Sequence, residues 1–381
     1  MVTLREYYLR ENPFMPDSFD YDMVGRKKEW EKITERLSKA FNERGSKTII
    51  LLGDYGYGKT FTLEKIEEAI NKDHLDIYGK SNNLVIPIKM AESEPERKIS
   101  LAFVTKVFKV LYKNEKVVNI AKKAVKSLEL SSDFKKVLSS IASGEEEGWD
   151  WLIGESTKNE NKKLGVRSGL YYGPQAIDIF FEFLKITRAS EIKNVLILID
   201  EFEYIVNVYS NNKITQMLHM FKEIFDKSMK INTIQRDSIS NCIFLVAMTP
   251  TGWNHLTEME AHARKSTGGG GITPWLDRIN VAENLITLEP LNRNEVEQLI
   301  ESRVSKKRLE FIKGLPYKTF PFVNPGFIDV IYNASKGVPR KVIDYCDSVL
   351  DHAIKEELKE INEKEAKDIL KKLRLFDGDL A

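Results

Sequence analysis

The fold of this chain is decided by Gly53-Asp54-Tyr55-Gly56-Tyr57-Gly58-Lys59-Thr60, which directly follows the apolar run Thr48–Leu52. A short, continuous apolar run is typical of a strand that is buried on both faces. The residues after the glycines, from Phe61 to Ile66, have the spacing of a helix. A strand, a glycine-rich turn and a helix in this order predict a phosphate-binding loop of the pattern G-x-x-x-x-G-K-T.

The residue types in this loop suit phosphate chemistry. Glycines let successive backbone N–H groups point at a phosphate, and the start of a helix adds its positive dipole end. Lys59 is expected to place a charge at the β- and γ-phosphates, and the Thr60 hydroxyl to bind Mg²⁺. The alternative is a glycine-rich turn with an incidental lysine. We therefore expect ATP and Mg²⁺ as cofactors, with ATP bound by Gly53, Asp54, Tyr55, Gly56, Tyr57, Gly58, Lys59, Thr60 and Phe61.

An acidic pair, Asp200-Glu201, ends the second continuous apolar run, Val195–Ile199. Acids at the carboxyl end of a buried strand lie where α/β sheets bind ligands. We expect Asp200 to hold Mg²⁺ through water and Glu201 to be the catalytic base that activates the attacking water. The alternative is a helix start, which favours acids. Glu203 is predicted to be a solvated helix acid.

The remaining pattern predicts an α/β fold: a five-stranded parallel sheet flanked by helices, with an all-helical lid at the C-terminal end. Further strands are predicted at Leu84–Met90, Cys242–Met248 and Leu285–Leu288, and a flexible loop at Gly268–Gly271. Residues 93–190 are mostly helical and form an insertion before the acidic-motif strand. The expected domains are an arm, 1–25, a nucleotide-binding domain, 26–291, and a lid, 292–381, with helix caps at Asn292, Asn324 and Asn362.

Charge and cysteine content exclude several classes of protein. The 381 residues carry 58 Lys+Arg against 57 Asp+Glu, which rules out attachment to nucleic acid by bulk charge. The two cysteines, Cys242 and Cys346, lack zinc-site spacing and are predicted to be reduced core residues. No apolar run approaches the roughly 20 residues that span a bilayer, and the N-terminus is charged. We expect a soluble, cytoplasmic protein without membrane contact.

Together these motifs resemble those of the AAA+ ATPases. In that family, a polar residue after the next strand senses the γ-phosphate, and Thr249 matches it by position, although Thr251 or Asn254 could serve equally. An arginine before the last strand reaches the neighbouring subunit's site, and Arg278 matches it. Pro290-Leu291-Asn292 and Gly337-Val338-Pro339-Arg340 resemble the start of the lid and its arginine, so Arg340 is implied as a nucleotide contact.

A second set of residues is similar to the origin-recognition branch of that family. Val24-Gly25-Arg26, followed by Glu29, resembles the segment that flanks the adenine, which implies a contact from Val24. The run Trp149–Glu155 with Leu164-Gly165-Val166 has a weaker similarity to ATP-binding proteins of bacterial phage-exclusion islands. Of Trp149 and Trp151, one is expected to be buried and the other partly covered.

Structural alternatives accompany these assignments. Arg278 could pair with Asp277 or Glu283 on the surface, and Arg340 could be a solvated arginine at a helix start. Basic helix faces that could contact duplex DNA are more commonly solvated faces. These faces comprise Lys122, Lys123, Lys126, Lys135 and Lys136 in the insertion, and Arg303, Lys306, Lys307 and Arg308 in the lid.

From this evidence we expect an ATP-binding, Mg²⁺-dependent ATPase that forms a nucleotide-dependent homo-oligomer through Arg278 and acts in a DNA-associated process. The alternative is a slowly hydrolysing switch or adaptor that signals to a protein partner through residues 93–190. The adaptor hypothesis predicts that the inserted helices carry partner binding.

Overall fold

The computed structural model describes residues 2–15, 21–72, 82–90, 99–235, 237–266, 276–310, 314–315 and 317–375. The chain forms two compact units. The first contains residues 1–31, 53–65 and 287–381, and the second contains residues 32–52 and 66–286. These units divide the chain differently from the expected boundaries at 25/26 and 291/292, which stay a prediction. The glycine-rich stretch Gly268–Gly271 lies outside the described residues.

A five-stranded parallel sheet lies in the second unit and confirms the predicted fold class. The strands have the order β2-β3-β4-β1-β5, and β1 pairs with β4 so that Leu52 lies opposite Met248. All residues of β3 are buried, as expected for a continuous apolar run between two helical layers. The strands are β1 Lys47–Leu52, β2 Asn83–Lys89, β3 Asn194–Asp200, β4 Asn241–Met248 and β5 Leu285–Thr287.

Helices flank the sheet and fill the predicted insertion. The described part of that insertion, 99–189, is helical as predicted, and Trp149 and Trp151 are both buried in its core, so the expectation that one is only partly covered is wrong. The helices up to residue 284 are α1 Lys27–Asn42, α2 Lys59–Asn71, α3 Ile99–Val110, α4 Glu115–Ser127, α5 Ser132–Ser143, α6 Glu147–Leu152, α7 Lys158–Leu164, α8 Gly173–Ala189, α9 Glu203–Val208, α10 Asn211–Ile234, α11 Pro250–Ser266 and α12 Val281–Asn284.

The lid in the first unit consists of α13 Arg293–Lys306, α14 Gly326–Ser335, α15 Pro339–Lys355 and α16 Glu363–Lys372. Asn292 and Asn362 cap α13 and α16, each in a reciprocal capping box, as predicted. The predicted cap Asn324 is wrong, because Pro325 takes the cap position of α14 and the Asn324 amide donates to Glu297.

The N-terminal segment packs into the lid and bonds to three of the four basic lid residues that were candidates for DNA contact. Its side chains Tyr7, Leu9 and Phe14 are buried in the lid core. Arg303 is buried and donates to the carbonyl of Pro13. Lys307 pairs with Glu11 at 2.6 Å, and Arg308 donates to the carbonyls of Tyr7 and Phe320. Arg303, Lys307 and Arg308 thus bond to other parts of the first unit, so these three of the four basic residues do not form a solvated face.

Both cysteines are buried, and burial raises the pKa of the Cys242 and Cys346 thiols above the ordinary range. Protonated thiols in a core are poor nucleophiles and poor metal ligands, as expected from their spacing. Within the described residues, no helix is both long and apolar enough to cross a membrane.

Three asparagines form a ladder at the amino ends of the central strands. Asn83, Asn194 and Asn241 lie opposite one another in the register of β2, β3 and β4. The Asn194 amide donates to Asn83 at 2.9 Å, and its own oxygen accepts from Asn241 at 3.0 Å. The Asn241 oxygen accepts from the backbone N–H of Gly45, just before β1. This chain of amides fixes the register at the sheet end opposite Asp200.

Replacement of Asn194 with Ala should destabilise the fold, because it removes the partly buried hydrogen bonds of the Asn194 amide with Asn83 and Asn241. We expect a loss of about 1–3 kcal/mol in the free energy of unfolding, measured by denaturant titration. The control is Asn159→Ala on an exposed position of α7, which should change this free energy by less than about 0.5 kcal/mol. Equal losses in the two variants would contradict a role for the ladder.

Candidate functional site

The predicted phosphate-binding loop lies between β1, which ends at Leu52, and α2, which begins at Lys59. Gly56 and Gly58 have φ values of +82° and +89°, in the left-handed region that strains other residues. A Cβ atom on Gly56 would also lie 3.0 Å from the Cβ of Arg340. The glycine pattern is therefore required by the backbone, as the sequence predicted.

The ammonium group of Lys59 lies within the turn of the loop. Its side chain is buried, and its Nζ donates to the carbonyl of Gly53 at 2.8 Å and to that of Asp54 at 3.4 Å. The ring centroid of Tyr55 lies 5.4 Å from the same nitrogen. A charged group bonded to weak carbonyl acceptors can exchange them for phosphate oxygens, which form stronger, charge-assisted hydrogen bonds.

The loop's carbonyl oxygens are bonded to donors from other parts of the first unit. Because a phosphate-binding loop turns its N–H groups to the ligand, its carbonyls face away and need partners elsewhere. The backbone N–H of Arg340 donates to Gly56 at 3.2 Å, and Nη2 of Arg26 donates to Tyr57 at 3.0 Å. Gly58 accepts from the N–H and hydroxyl of Thr62, both at 2.9 Å. The N-terminal segment and the lid therefore both support the loop.

Arg340 follows the first residue of α15, next to this loop. Its side chain is 76% exposed, and its Nε lies 3.9 Å from Asp344 in a weak surface pair. The main chain of Arg340 contacts the loop at Gly56, while its guanidinium extends into solvent. Val24 and Phe61 are half-buried, and their predicted contacts with nucleotide stay predictions.

In the second unit, the predicted acids adopt two different environments. Asp200 is the last residue of β3 and is buried, and its Oδ1 accepts from the backbone N–H of Glu201 at 2.9 Å. Glu201 is exposed, with a left-handed φ of +55° that is costly for a residue with a side chain. A strained backbone at a candidate catalytic residue is common, because strain persists where the fold holds it in place.

Thr249 acts as a helix cap in the structure. It follows β4 directly, it is buried, and its hydroxyl accepts from the backbone N–H of Gly252 at 3.2 Å, in the first turn of α11. The two alternatives, Thr251 and Asn254, are exposed. Thus Thr249 is a buried hydroxyl after β4, and Thr251 and Asn254 are exposed polar side chains. Which of the three senses the γ-phosphate stays a prediction.

Glu203 is a residue that sequence reasoning missed. It begins α9 and is buried, so the prediction of a solvated helix acid is wrong. A Cβ atom on Gly252 would lie 3.1 Å from the Cβ of Glu203, which shows how closely α9 approaches α11. The burial of Glu203 could not be predicted from the sequence, because an acidic residue is common in the first turn of any helix, whether buried or exposed.

Arg278 ends a 3₁₀ turn, Leu276–Arg278, and pairs with a residue that the sequence did not suggest. Its Nε lies 3.1 Å from Asp226 on α10. Burial raises the pKa of Asp226, but hydrogen bonds from Lys222 and Arg278 lower it overall. The alternative partner Glu283 bonds instead to Lys39 at 2.8 Å. Arg278 is thus partly exposed and held by a surface carboxylate.

The side chains available for a cation are oxygen donors. Thr60, in the first unit, carries a hydroxyl in the first turn of α2, and Asp200, in the second unit, carries a carboxylate at the end of β3. Mg²⁺ prefers such donors and usually takes only one or two from the protein, the rest being water and phosphate. Among the described residues, no three His, Cys, Asp or Glu side chains form a metal-binding group.

No family model and no curated protein matches this chain. Solved structures do match it. They include the Aeropyrum pernix ORC2 protein in its ADPNP–ADP complexes, with a TM-score of 0.55 at 11% identity over 98% of this chain and 74% of that one. Cdc6p from Pyrobaculum aerophilum matches with a TM-score of 0.55 at 12% identity over 98% and 73% of the two chains.

Drosophila ORC bound to DNA matches with a TM-score of 0.51 at 11% identity, and the matched region covers 95% of this chain but only 64% of that one. At such low identity these matches show the fold alone. The resemblance to the origin-recognition branch is therefore confirmed at the level of the fold, which this chain shares with the ORC and Cdc6 structures.

Proposed function

We propose that this protein binds and hydrolyses ATP as a nucleotide-dependent homo-oligomer in a DNA-associated process. The observation that carries the proposal is the loop Gly53–Thr60, with glycines at Gly56 and Gly58 in left-handed backbone and a buried lysine at its end. A buried ammonium that donates to carbonyls of its own loop suits a site that receives phosphates, because phosphate oxygens form stronger, charge-assisted hydrogen bonds.

In this proposal, each residue of the site has a separate task. The loop's N–H groups and Lys59 hold the β- and γ-phosphates, and Arg340 reaches them from the lid. Thr60 and Asp200 hold Mg²⁺, which when bound neutralises charge on the phosphates. Glu201 accepts the proton of the attacking water, a task that its exposed carboxylate and its position after Asp200 support.

Oligomer formation is proposed from Arg278. The side chain lies on the surface and is held by a carboxylate that also binds Lys222, so it can leave Asp226 without stranding a buried charge. In a neighbouring subunit's site, its guanidinium would neutralise charge on the transferred phosphoryl group. Thr249 keeps its proposed sensing role together with the alternatives Thr251 and Asn254.

The DNA association rests on two supports. One of the matched structures is Drosophila ORC bound to DNA. In the insertion, the side chains of Lys122, Lys123, Lys135 and Lys136 are exposed and could contact phosphates, whereas three of the four lid residues are used inside the protein. The insertion is therefore the better candidate for a DNA-contacting face.

A second function, a nucleotide-gated adaptor, is favoured by a cleft between the same insertion and the C-terminal part of α10. The cleft has a volume of about 780 Å³ and includes the exposed ring of Tyr172, the buried ring of Trp151 and polar side chains of α8. An exposed aromatic ring beside polar side chains is typical of surfaces that bind a protein partner. Slow hydrolysis that does not respond to DNA would favour this function.

The first test is Lys59→Ala, which removes the charge that contacts the phosphates. We expect ATP affinity, measured by calorimetry, to fall about 10- to 100-fold, as for loss of a charged hydrogen-bond donor. Lys72→Ala, which removes an exposed lysine just after α2, is the control and should leave the Kd unchanged. Unaltered ATP binding by Lys59→Ala would refute the assignment of the loop.

The second test concerns Arg278. At protein concentrations where the oligomer forms, Arg278→Ala should lower ATP turnover by about 10³–10⁵-fold, since the trans-acting charge is lost. Lys222→Ala removes the other partner of Asp226 and should keep normal turnover. Glu201→Gln serves as the inactive reference. Normal turnover by Arg278→Ala would exclude the role in the neighbouring subunit.

A further inference from the structure

Arg26 lies at the centre of a group of contacts that the proposed mechanism does not use. Its side chain is only 6% exposed, and burial lowers its pKa, an effect opposed by the charge of Glu29. Nη1 donates to the carbonyl of Glu289 and lies 3.4 Å from Glu29, while Nη2 donates to the carbonyl of Tyr57 at 3.0 Å. One guanidinium thus joins the phosphate-binding loop to the chain just before the lid.

The segment Glu289–Leu291, which we call the hinge, leads from β5 into the lid helix α13. It is joined to a second part of the lid, because the N–H of Leu291 donates to the carbonyl of Gly337 at 2.8 Å. Gly337 has a left-handed φ of +72°, and a Cβ atom there would lie 1.9 Å from the Leu291 oxygen. Only glycine therefore permits this contact.

These contacts close into a ring. Gly337 lies shortly before Arg340, and the N–H of Arg340 donates to the carbonyl of Gly56. The next residue, Tyr57, accepts from Arg26 at its own carbonyl. The ring therefore runs from the loop through Arg26 to the hinge at Glu289 and back through the start of α15. Movement of the hinge must break one of its hydrogen bonds or move the loop.

Gly25 shows that this arrangement is built into the fold. It has a left-handed φ of +68°, and a Cβ atom there would lie 2.7 Å from Leu291 and 2.9 Å from Glu295. The close approach brings the chain before Arg26 against the start of the lid. Arginine suits the next position, because its planar fork carries separate nitrogens that donate to two carbonyls in fixed directions, whereas a lysine has one nitrogen on a flexible stem.

We propose that Arg26 is a positioning residue that couples the phosphate-binding loop to the hinge of the lid, so that nucleotide affinity and lid position depend on one side chain. The inference rests on the proposed ATP binding, but it concerns contacts between protein groups. Arg26 acts through the carbonyls of Tyr57 and Glu289 and needs no contact with the nucleotide.

The test compares wild type with Arg26→Lys, which keeps the charge but puts one nitrogen on a flexible stem in place of the two nitrogens that donate to Glu289 and Tyr57. In the nucleotide-free protein, hydrogen exchange should accelerate about tenfold both at residues 53–60 and at the hinge, as for loss of a hydrogen bond from a charged group. Exchange in β3 should stay unchanged. In the same variant, ATP affinity should fall about tenfold.

Two controls separate this role from others. Arg293→Lys alters an arginine in the same unit that, among the described residues, bonds to the carboxylates of Asp329 and Glu297, and it should change neither region. Glu29→Gln removes the ion pair of Arg26 but keeps both carbonyl bonds, and should also leave exchange unchanged. If Glu29→Gln reproduces the effect, the ion pair and not the carbonyl bridge is responsible, and the proposal fails.

The remaining outcomes are also decisive. Acceleration at only one of the two regions, at neither, or throughout the protein including β3 would overturn the coupling role. If the wild-type protein fails to bind ATP, the proposed function fails. The hydrogen-exchange comparison still tests the role of Arg26, because it is made on the nucleotide-free protein. Wild-type ATP affinity in Arg26→Lys, with a protein that does bind ATP, would overturn the inference alone.

Discussion

The constraint on which the first unit depends is the hydrogen bonding of the loop Gly53–Thr60. When backbone N–H groups are turned to a ligand, the carbonyl groups face the protein, where each needs a donor. The donors come from three places in the unit: Arg26 from the N-terminal segment, the N–H of Arg340 from the lid, and Thr62 from the helix that follows the loop. The loop's shape is therefore a property of the whole unit.

The same constraint explains why the N-terminal segment is part of the lid's structure. Its apolar side chains join the lid core, and the basic residues Arg303, Lys307 and Arg308 bind its carbonyl and carboxylate groups. This packing holds the chain that leads to Arg26. In the second unit, the parallel sheet has a comparable function, because the asparagine ladder at one end fixes the register that places Asp200 at the other.

The sequence was sufficient to predict the features that depend on local pattern. All five strands, the glycine loop and the caps Asn292 and Asn362 follow from apolar runs and residue chemistry, and the structure confirms them. Contacts between distant residues could not be predicted. The burial of Glu203 and the partner of Arg278 depend on how helices pack. The similarity of Trp149–Glu155 to phage-exclusion proteins stays a prediction.

The central claim is that ATP binds to the loop Gly53–Thr60 with Mg²⁺ held beside it. Hydrogen exchange of the wild-type protein, measured with and without ATP and with or without Mg²⁺, tests this most directly. The account predicts that ATP protects the amides of residues 53–61, and that the peptide containing Asp200 gains further protection when Mg²⁺ is added. Protection of another region by ATP, with no change at the loop, would contradict it.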